Sequence, residues 1–247
     1  MPELEICCDN FASAESAAIA GANRIELCSA IGEGGLTPSI GMIEQVLKNL
    51  NIDVHVLIRP RGGDFLYSDA EIEIIKSDIE ACKELGVDGV VIGFLNADGS
   101  VDKENTADII ELAQPMKVCF HRAFDMCKHP LKAFEELKEL GIDCLLTSGQ
   151  APKAIDGLEL ISQLVERAEN KIKIMPGSGV RVHLLEEIHQ KTKAHAYHMS
   201  ARIPVSSKMQ FQQEKVSMGS QSLDAEYLSH THDVEVIRKA IRIFNNI

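Results

Sequence analysis

Ionisable side chains recur at the ends of short apolar segments along this chain of 247 residues. His121 follows one such segment, and Asp125 lies four residues later. A histidine oriented by a carboxylate can act as a general acid–base pair. Glu5 and Glu26 lie within two other apolar segments. The pattern predicts acid–base chemistry with His121, Asp125, Glu26 and Glu5 as the catalytic candidates.

Arginines and glycines form a second set of candidates, which suits the binding of an anion. The loop R59-P-R-G-G63 presents two guanidinium groups of the kind that bind carboxylate or phosphate. Alternatively, these arginines pair with loop aspartates such as Asp64. The segment G177-S-G179 leads into a helix, where amides commonly bind phosphate, although a plain tight turn has the same sequence. The predicted anion-binding residues are Arg59, Arg61, Ser148, Gly177, Ser178, Gly179, His198, Ser200 and Arg202.

Two cysteines suggest a soft-metal site. The chain has seven cysteines, an odd number, and it has no C-x-x-C motif, which indicates reduced thiols. Cys7 and Cys28 are predicted at corresponding heights on adjacent strands, which lie ~4.8 Å apart. Two such thiolates could share an ion such as Cu(I). The alternative is that both are buried cysteines that behave as small hydrophobic residues.

Short β-branched segments alternate with longer amphipathic segments over the whole chain. The predicted strands are 4–8, 24–28, 53–58, 89–92, 117–120, 144–147, 172–175 and 196–199. Thr37 before Pro38 predicts a helix N-cap, and Ser68 with Glu71 predicts a capping box. Eight strand–helix units of about 31 residues each indicate a (β/α)₈ barrel. An open doubly wound sheet is the alternative, and it is disfavoured because it gathers its site at one crevice.

No linker divides the chain, so we expect one barrel domain over residues 1–247. Its longest irregular stretch, at about 201–232, is polar and is expected to cover the barrel mouth or form a subunit contact. Alternation of side chains along the strands predicts which residues face the barrel axis. These are Glu5, Cys7, Glu26, Cys28, His55, Leu57, Arg59, Cys119, His121, His198 and Ser200. We expect Glu5, Glu26, Arg59 and His121 to form one cluster at the mouth; alternatively, Arg59 simply neutralises the two glutamates.

Composition excludes several classes of protein. The formal net charge is −12, which disfavours binding to nucleic acid and to anionic membranes. No apolar run approaches the ~20 residues of a membrane helix, and no signal peptide is apparent. We therefore expect a cytoplasmic protein.

The motifs together resemble the CutC family, the so-called copper homeostasis proteins. The matching segments are 4–7 (LEIC), 24–28 (RIELC), 33–39 (EGGLTPS), 58–65 (IRPRGGDF), 120–126 (FHRAFDM), 146–149 (LTSG) and 175–179 (MPGSG). The resemblance implies a (β/α)₈ barrel, a cytoplasmic location, homo-oligomers and a role in copper handling. It also implies that Cys7 and Cys28 are candidate Cu(I) ligands.

Two functions remain as hypotheses. The first is copper binding in a CutC-type barrel. The second is an enzyme that acts by acid–base chemistry on a small anionic, possibly phosphorylated, metabolite. A purely structural or regulatory protein would have no need for six ionisable groups inside its barrel.

Overall fold

The computed structural model describes residues 1–216, 218 and 223–247, and the barrel strands in this part of the chain follow the predicted order. They are β1 Glu3–Cys8, β2 Arg24–Leu27, β3 Asp53–Leu57, β4 Gly89–Ile92, β5 Lys117–Phe120, β6 Cys144–Thr147, β7 Lys173–Pro176 and β8 Ala196–Met199. All pair in parallel, in the order β7-β6-β5-β4-β3-β2-β1-β8. The His195 amide donates to the Ile174 carbonyl across the β7–β8 edge, with an N···O distance of 3.1 Å. The sheet thus curls into the predicted (β/α)₈ barrel and is not an open doubly wound sheet.

A helix follows each barrel strand. The helices are α1 Phe11–Ala20, α2 Ile40–Asn49, α3 Asp69–Leu85, α4 Lys103–Ala113, α5 Pro130–Leu140, α6 Leu158–Ala168, α7 Leu185–Thr192 and α8 Val234–Phe244. The capping box that begins α3 is confirmed, because Ser68 and Glu71 exchange hydrogen bonds. The predicted Thr37 cap is wrong. Ser39 caps α2, and the Thr37 hydroxyl instead accepts a hydrogen bond from the Arg59 amide.

The strands bury apolar side chains on both faces. On the outer face they pack against the helices; Ile6, Ile25 and Val56 are fully buried there. Inside the barrel a smaller apolar cluster fills the axis. Its members include Leu57, Val91, Cys119, Cys144, Leu146, Met175 and Ala196. Because the axis is filled, the space available to a ligand lies at the carboxyl ends of the strands, as in other barrels of this type.

The stretch expected to be irregular contains a two-stranded ribbon. β9 (Arg202–Ser206) pairs antiparallel with β10 (Leu228–His232). The ribbon lies beside α1, where the hydroxyls of Thr231 and Ser16 are 3.1 Å apart. His232 Nε2 lies 2.8 Å from the Cys7 carbonyl oxygen. The ribbon therefore supports the end of β1. Within the described residues, every helix is too short or too polar to cross a lipid bilayer.

Candidate functional site

A cavity of about 680 Å³ opens at the carboxyl ends of the strands. Its polar lining includes Cys7, Glu26, Cys28, Arg59, His121 and His198. Its apolar lining includes Ile31, Leu57, Phe65, Leu66, Leu95 and Leu146. The side chains that alternation predicts to face the axis at these strand ends therefore meet in this cavity.

The two cysteine side chains meet at the base of this cavity. The Sγ atoms of Cys7 and Cys28 are 3.8 Å apart. The strand register pairs Cys7 with Glu26, and Cys28 lies two residues further along the chain, directly after the end of β2. The strands of such barrels tilt by about 36° to the axis, and the thiols approach each other despite the offset.

A histidine and a carboxylate complete the thiol cluster. Ligand atoms of Cys7, Glu26 and His198 all lie within 4.8 Å of one another. His198 Nε2 is 3.9 Å from the Glu26 carboxyl group. The sequence prediction placed His198 among anion-binding residues and Glu26 among catalytic ones. The structure brings both to the cysteines, in an arrangement of sulfur, nitrogen and oxygen donors that suits a metal ion.

Beneath the cluster, Glu5 joins His198 to Arg24. One Glu5 oxygen lies 2.7 Å from His198 Nδ1, and the other accepts from Arg24 Nε at 2.5 Å. Burial raises the pKa of Glu5, but the His198 hydrogen bond and the Arg24 charge outweigh burial and lower this pKa to about 2. Glu5 thus faces the barrel axis as predicted, but it lies below the mouth, outside the cavity lining.

Arg24 is a site residue that the sequence analysis missed. It is 6% exposed and pairs with both Glu3 and Glu5. The signal was available, because Arg24 lies two residues before Glu26 and must face the same side of β2.

The protonation states around the cysteines follow from burial and from these neighbours. The hydrogen bond with Cys28 and burial both raise the pKa of the Cys7 thiol well above its ordinary value. Burial also raises the pKa of Glu26. For His198, burial lowers the pKa, but the carboxyl groups of Glu26 and Glu5 and the Cys7 hydrogen bond raise it well above the ordinary value. Without an ion, the cluster holds a neutral Cys7 thiol beside an imidazolium.

His121 lies on the opposite part of the cavity wall, and Asp125 does not orient it. His121 Nδ1 accepts from the Ala123 amide at 3.1 Å, which places the ring proton on Nε2. No hydrogen-bond partner for Nε2 is found in the described part of the chain. Burial and the Arg59 charge lower the His121 pKa to about 3. The predicted acid–base pair is therefore corrected, since the imidazole is neutral and no carboxylate in the described part of the chain bonds it.

Asp125 instead connects two loops. Its carboxylate accepts from Arg122 Nε at 2.8 Å and from the Ser148 hydroxyl at 2.9 Å. It also accepts from the Thr147 hydroxyl and from the amides of Ser148 and Gln150. The 3₁₀ turn Arg122–Met126 after β5 is thereby held against the end of β6. Asp125 is a structural residue in this arrangement.

The two arginines after β3 have different surroundings. Arg59 donates to three backbone carbonyls, those of Glu33, Gly35 and Gly63, and it does not neutralise Glu5 or Glu26. Arg61 bonds Glu71 at 2.5 Å and Asp64 at 3.3 Å, outside the cavity lining. The prediction that Arg61 binds an anion is corrected, because its own loop and α3 engage its guanidinium group.

The other predicted anion-binding residues lie outside the cavity lining. The Gly177 amide donates to the Thr147 carbonyl, and the Ser178 hydroxyl donates to the Pro152 carbonyl. Gly179 packs against Lys153. The loops after β6 and β7 thus bind each other.

The remaining three residues are also engaged within the protein. Ser148 is bound to Asp125 as described above. Arg202 pairs with Asp9 at 3.1 Å, and the Ser200 carbonyl accepts from Arg181. Of the nine predicted anion-binding residues, Arg59 and His198 line the cavity.

Fold and site together define a (β/α)₈ barrel whose mouth carries a buried cluster of thiols, imidazole and carboxyl groups. Residues 2–203 match the model of the CutC family. The chain belongs to this family.

Named relatives agree with this assignment. A CutC family protein of Parabacteroides distasonis is 46% identical over 239 residues, 96% of this chain and 98% of the relative. The human copper homeostasis protein cutC homolog is 44% identical over 244 residues, 99% of this chain and 89% of the relative. A crystal structure of the Streptococcus agalactiae protein described as copper homeostasis protein CutC has a TM-score of 0.76 and 35% identity. That match covers 80% of this chain and 98% of the solved chain.

Proposed function

We propose that this protein takes part in copper homeostasis by binding one Cu(I) ion through Cys7, Cys28 and His198. The observation that carries the proposal is the 3.8 Å separation of the two sulfur atoms at the base of an open cavity. Relatives named as copper homeostasis proteins support the choice of metal. Thiolates are the soft ligands that select Cu(I) over harder cations.

The sulfur separation of 3.8 Å is short enough for both thiolates to reach one ion, because two metal–sulfur bonds of about 2.3 Å span up to roughly 4.6 Å. His198 Nε2 is available for the third position, because Nδ1 is already bound to Glu5.

The electrostatics of the cluster indicate how the ion would be held and released. The neutral Cys7 thiol and the His198 imidazolium must lose protons before they can bind a metal. Copper and protons therefore compete for the same atoms. Such a competition permits exchange of a cargo ion. The seven cysteines are free thiols, and we extend the proposal to a reducing compartment such as the cytoplasm.

The test is Cu(I) affinity measured in competition with a chromogenic chelator. Reduced wild-type protein should bind about one Cu(I) per chain, and a variant carrying both Cys7→Ser and Cys28→Ser should bind at least about a hundredfold more weakly. Serine preserves side-chain size but lacks the soft sulfur donor.

Cys8→Ser is the matched control, because Cys8 is the neighbour of Cys7 but faces the helices, where its thiol donates to the Ile6 carbonyl. Its copper affinity should equal that of the wild type. Equal affinities in the wild type and the double variant would refute the proposal.

A further inference from the structure

Arg59 carries a buried positive charge that pairs with no carboxylate of the described residues. The residue is 6% exposed. Its NH1 and NH2 groups donate only to backbone carbonyls, at 2.7–3.0 Å, and its Nε has no partner in the described residues. None of the ion pairs formed by the described residues includes Arg59. A buried charge of this kind is costly unless a counter-charge is supplied.

The other charges in the cavity lining do not balance Arg59. Asp64 and Asp125 are paired with Arg61 and Arg122, respectively. Glu33 is exposed at the rim, where solvent screens its charge. The Glu26 carboxyl group faces His198 Nε2 at 3.9 Å and forms no ion pair with Arg59. The cavity therefore lacks one negative charge beside Arg59.

His121 adds a hydrogen-bond donor to the same part of the wall. The Phe65 ring contacts both residues, with its centre 5.1 Å from the Arg59 guanidinium carbon and 4.9 Å from the His121 ring centre. Because Nδ1 accepts from Ala123, Nε2 carries a proton and has no acceptor among the described residues. Guanidinium, imidazole N–H and an aromatic ring thus form one continuous face, here called the Arg59 face (Arg59, Phe65 and His121).

The rest of the cavity fits a ligand with an apolar part. Ile31, Leu57, Leu66 and Leu95 line it alongside the Arg59 face. The volume of about 680 Å³ lies in the range of small-molecule sites, which combine apolar walls with a few polar groups. An inorganic ion alone would leave most of this space unused.

We propose that the Arg59 face binds the oxyanion of a small organic ligand, a carboxylate or a phosphate ester with an apolar portion. The oxyanion supplies the negative counter-charge for Arg59 and accepts a hydrogen bond from His121 Nε2. This site uses none of the three proposed copper ligands, and it does not require copper. The ligand would share the cavity with the thiol cluster.

Isothermal titration of copper-free, reduced protein tests the proposal with benzoate, phenyl phosphate and benzyl alcohol as probes. At least one anion should bind at millimolar concentration, and neutral benzyl alcohol should not. Stronger binding of phenyl phosphate assigns the site to phosphate esters, and stronger binding of benzoate assigns it to carboxylates. Failure of both anions, or equal binding of the alcohol, would overturn the proposal.

Variants of the Arg59 face locate the binding. Arg59→Gln should weaken the anion about ten- to a hundredfold, the effect of losing a charge-assisted hydrogen bond. Arg61→Gln is the matched control, since Arg61 is bound within its own loop, and it should leave the affinity unchanged. An Arg59→Gln protein that binds as tightly as the wild type would refute the assignment.

Two substitutions of His121 keep the test valid if Arg59→Gln fails to fold. Asparagine can preserve the acceptor for the Ala123 amide but removes the Nε2 donor, and it should weaken binding about tenfold. Glutamine retains a donor near the Nε2 position and should weaken binding less. Equal affinities for the two variants would count against the proposal.

The Cys7→Ser and Cys28→Ser double variant should bind the anion with the affinity of the wild type. This result separates the anion proposal from the copper proposal.

Discussion

Glu5 is the residue that connects the proposed copper site to the interior of the barrel. It is 1% exposed and binds His198 with one oxygen and Arg24 with the other. Metal-binding histidines commonly donate their second nitrogen to a carboxylate, which fixes the orientation of the ring. Glu5 is placed for this role toward His198, and we infer that it is a positioning residue of the proposed copper site.

Replacing this carboxylate should weaken copper binding without removing a ligand. Glu5→Gln preserves volume but loses the charge that holds the His198 ring, and Cu(I) affinity should fall about ten- to a hundredfold. Competition with a chelator measures the change, and circular dichroism checks the fold.

Glu3→Gln is the control for this prediction. Glu3 also pairs with Arg24 but, unlike Glu5, makes no contact with His198. Its copper affinity should be that of the wild type. If the Glu3 and Glu5 variants lose copper affinity equally, the effect comes from Arg24 and not from orientation of the imidazole.

At the scale of elements, the strands were predictable and the loops were not. Four of the eight predicted strands differ from the observed bounds by one residue at one or both ends, and four agree. The alternation of buried side chains fixes a strand and its inward face from local sequence alone. Arg24 lies two residues before the inward-facing Glu26 on β2, so alternation also predicts that Arg24 faces inward.

Loop partners depend on which groups meet in space. Asp125 is close to His121 in sequence, yet it binds the end of β6, more than twenty residues away. Arg61 resembles Arg59 in sequence, but Glu71 and Asp64 engage it. The glycine segment after β7 has the composition of a phosphate loop and instead packs on the loop after β6. Composition could not distinguish these outcomes.

Asp125 should therefore contribute to stability. Asp125→Ala leaves the Thr147 hydroxyl and the amides of Ser148 and Gln150 without this acceptor. Loss of charged hydrogen bonds of this kind should lower the free energy of unfolding by on the order of 3 kcal/mol. Urea unfolding measures the change.

Asp64→Ala is the control variant, because the Asp64 side chain, which pairs with Arg61, is 77% exposed. It should change the free energy of unfolding by less than about 0.5 kcal/mol. A similarly small effect of Asp125→Ala would show that the two loops do not depend on this carboxylate.

At the scale of the whole molecule, charge links the two proposed sites. The protein carries a formal net charge of −12, so an anion at the proposed Arg59 site would bind against the average field of the molecule. The thiol cluster and the Arg59 face line the same cavity. Self-association remains a prediction from the family resemblance.

Loading with copper should weaken anion binding at the Arg59 face. Two thiolates around one Cu(I) ion carry one net negative charge, and loss of the His198 proton removes a positive charge. Each unit of charge, taken at a separation on the order of 10 Å in an effective dielectric of about 20, corresponds to roughly 1.7 kcal/mol, so the anion should bind at least about 15-fold more weakly. Linkage requires that the anion weaken Cu(I) binding by the same factor.

Titration of phenyl phosphate or benzoate, whichever binds, into copper-free and copper-loaded protein measures the effect of copper on the anion. Chelator competition with and without that anion measures the effect of the anion on copper. The Cys7→Ser and Cys28→Ser double variant should show no effect of added copper on the anion. Unchanged or tighter anion binding by the copper-loaded wild type would contradict the electrostatic coupling.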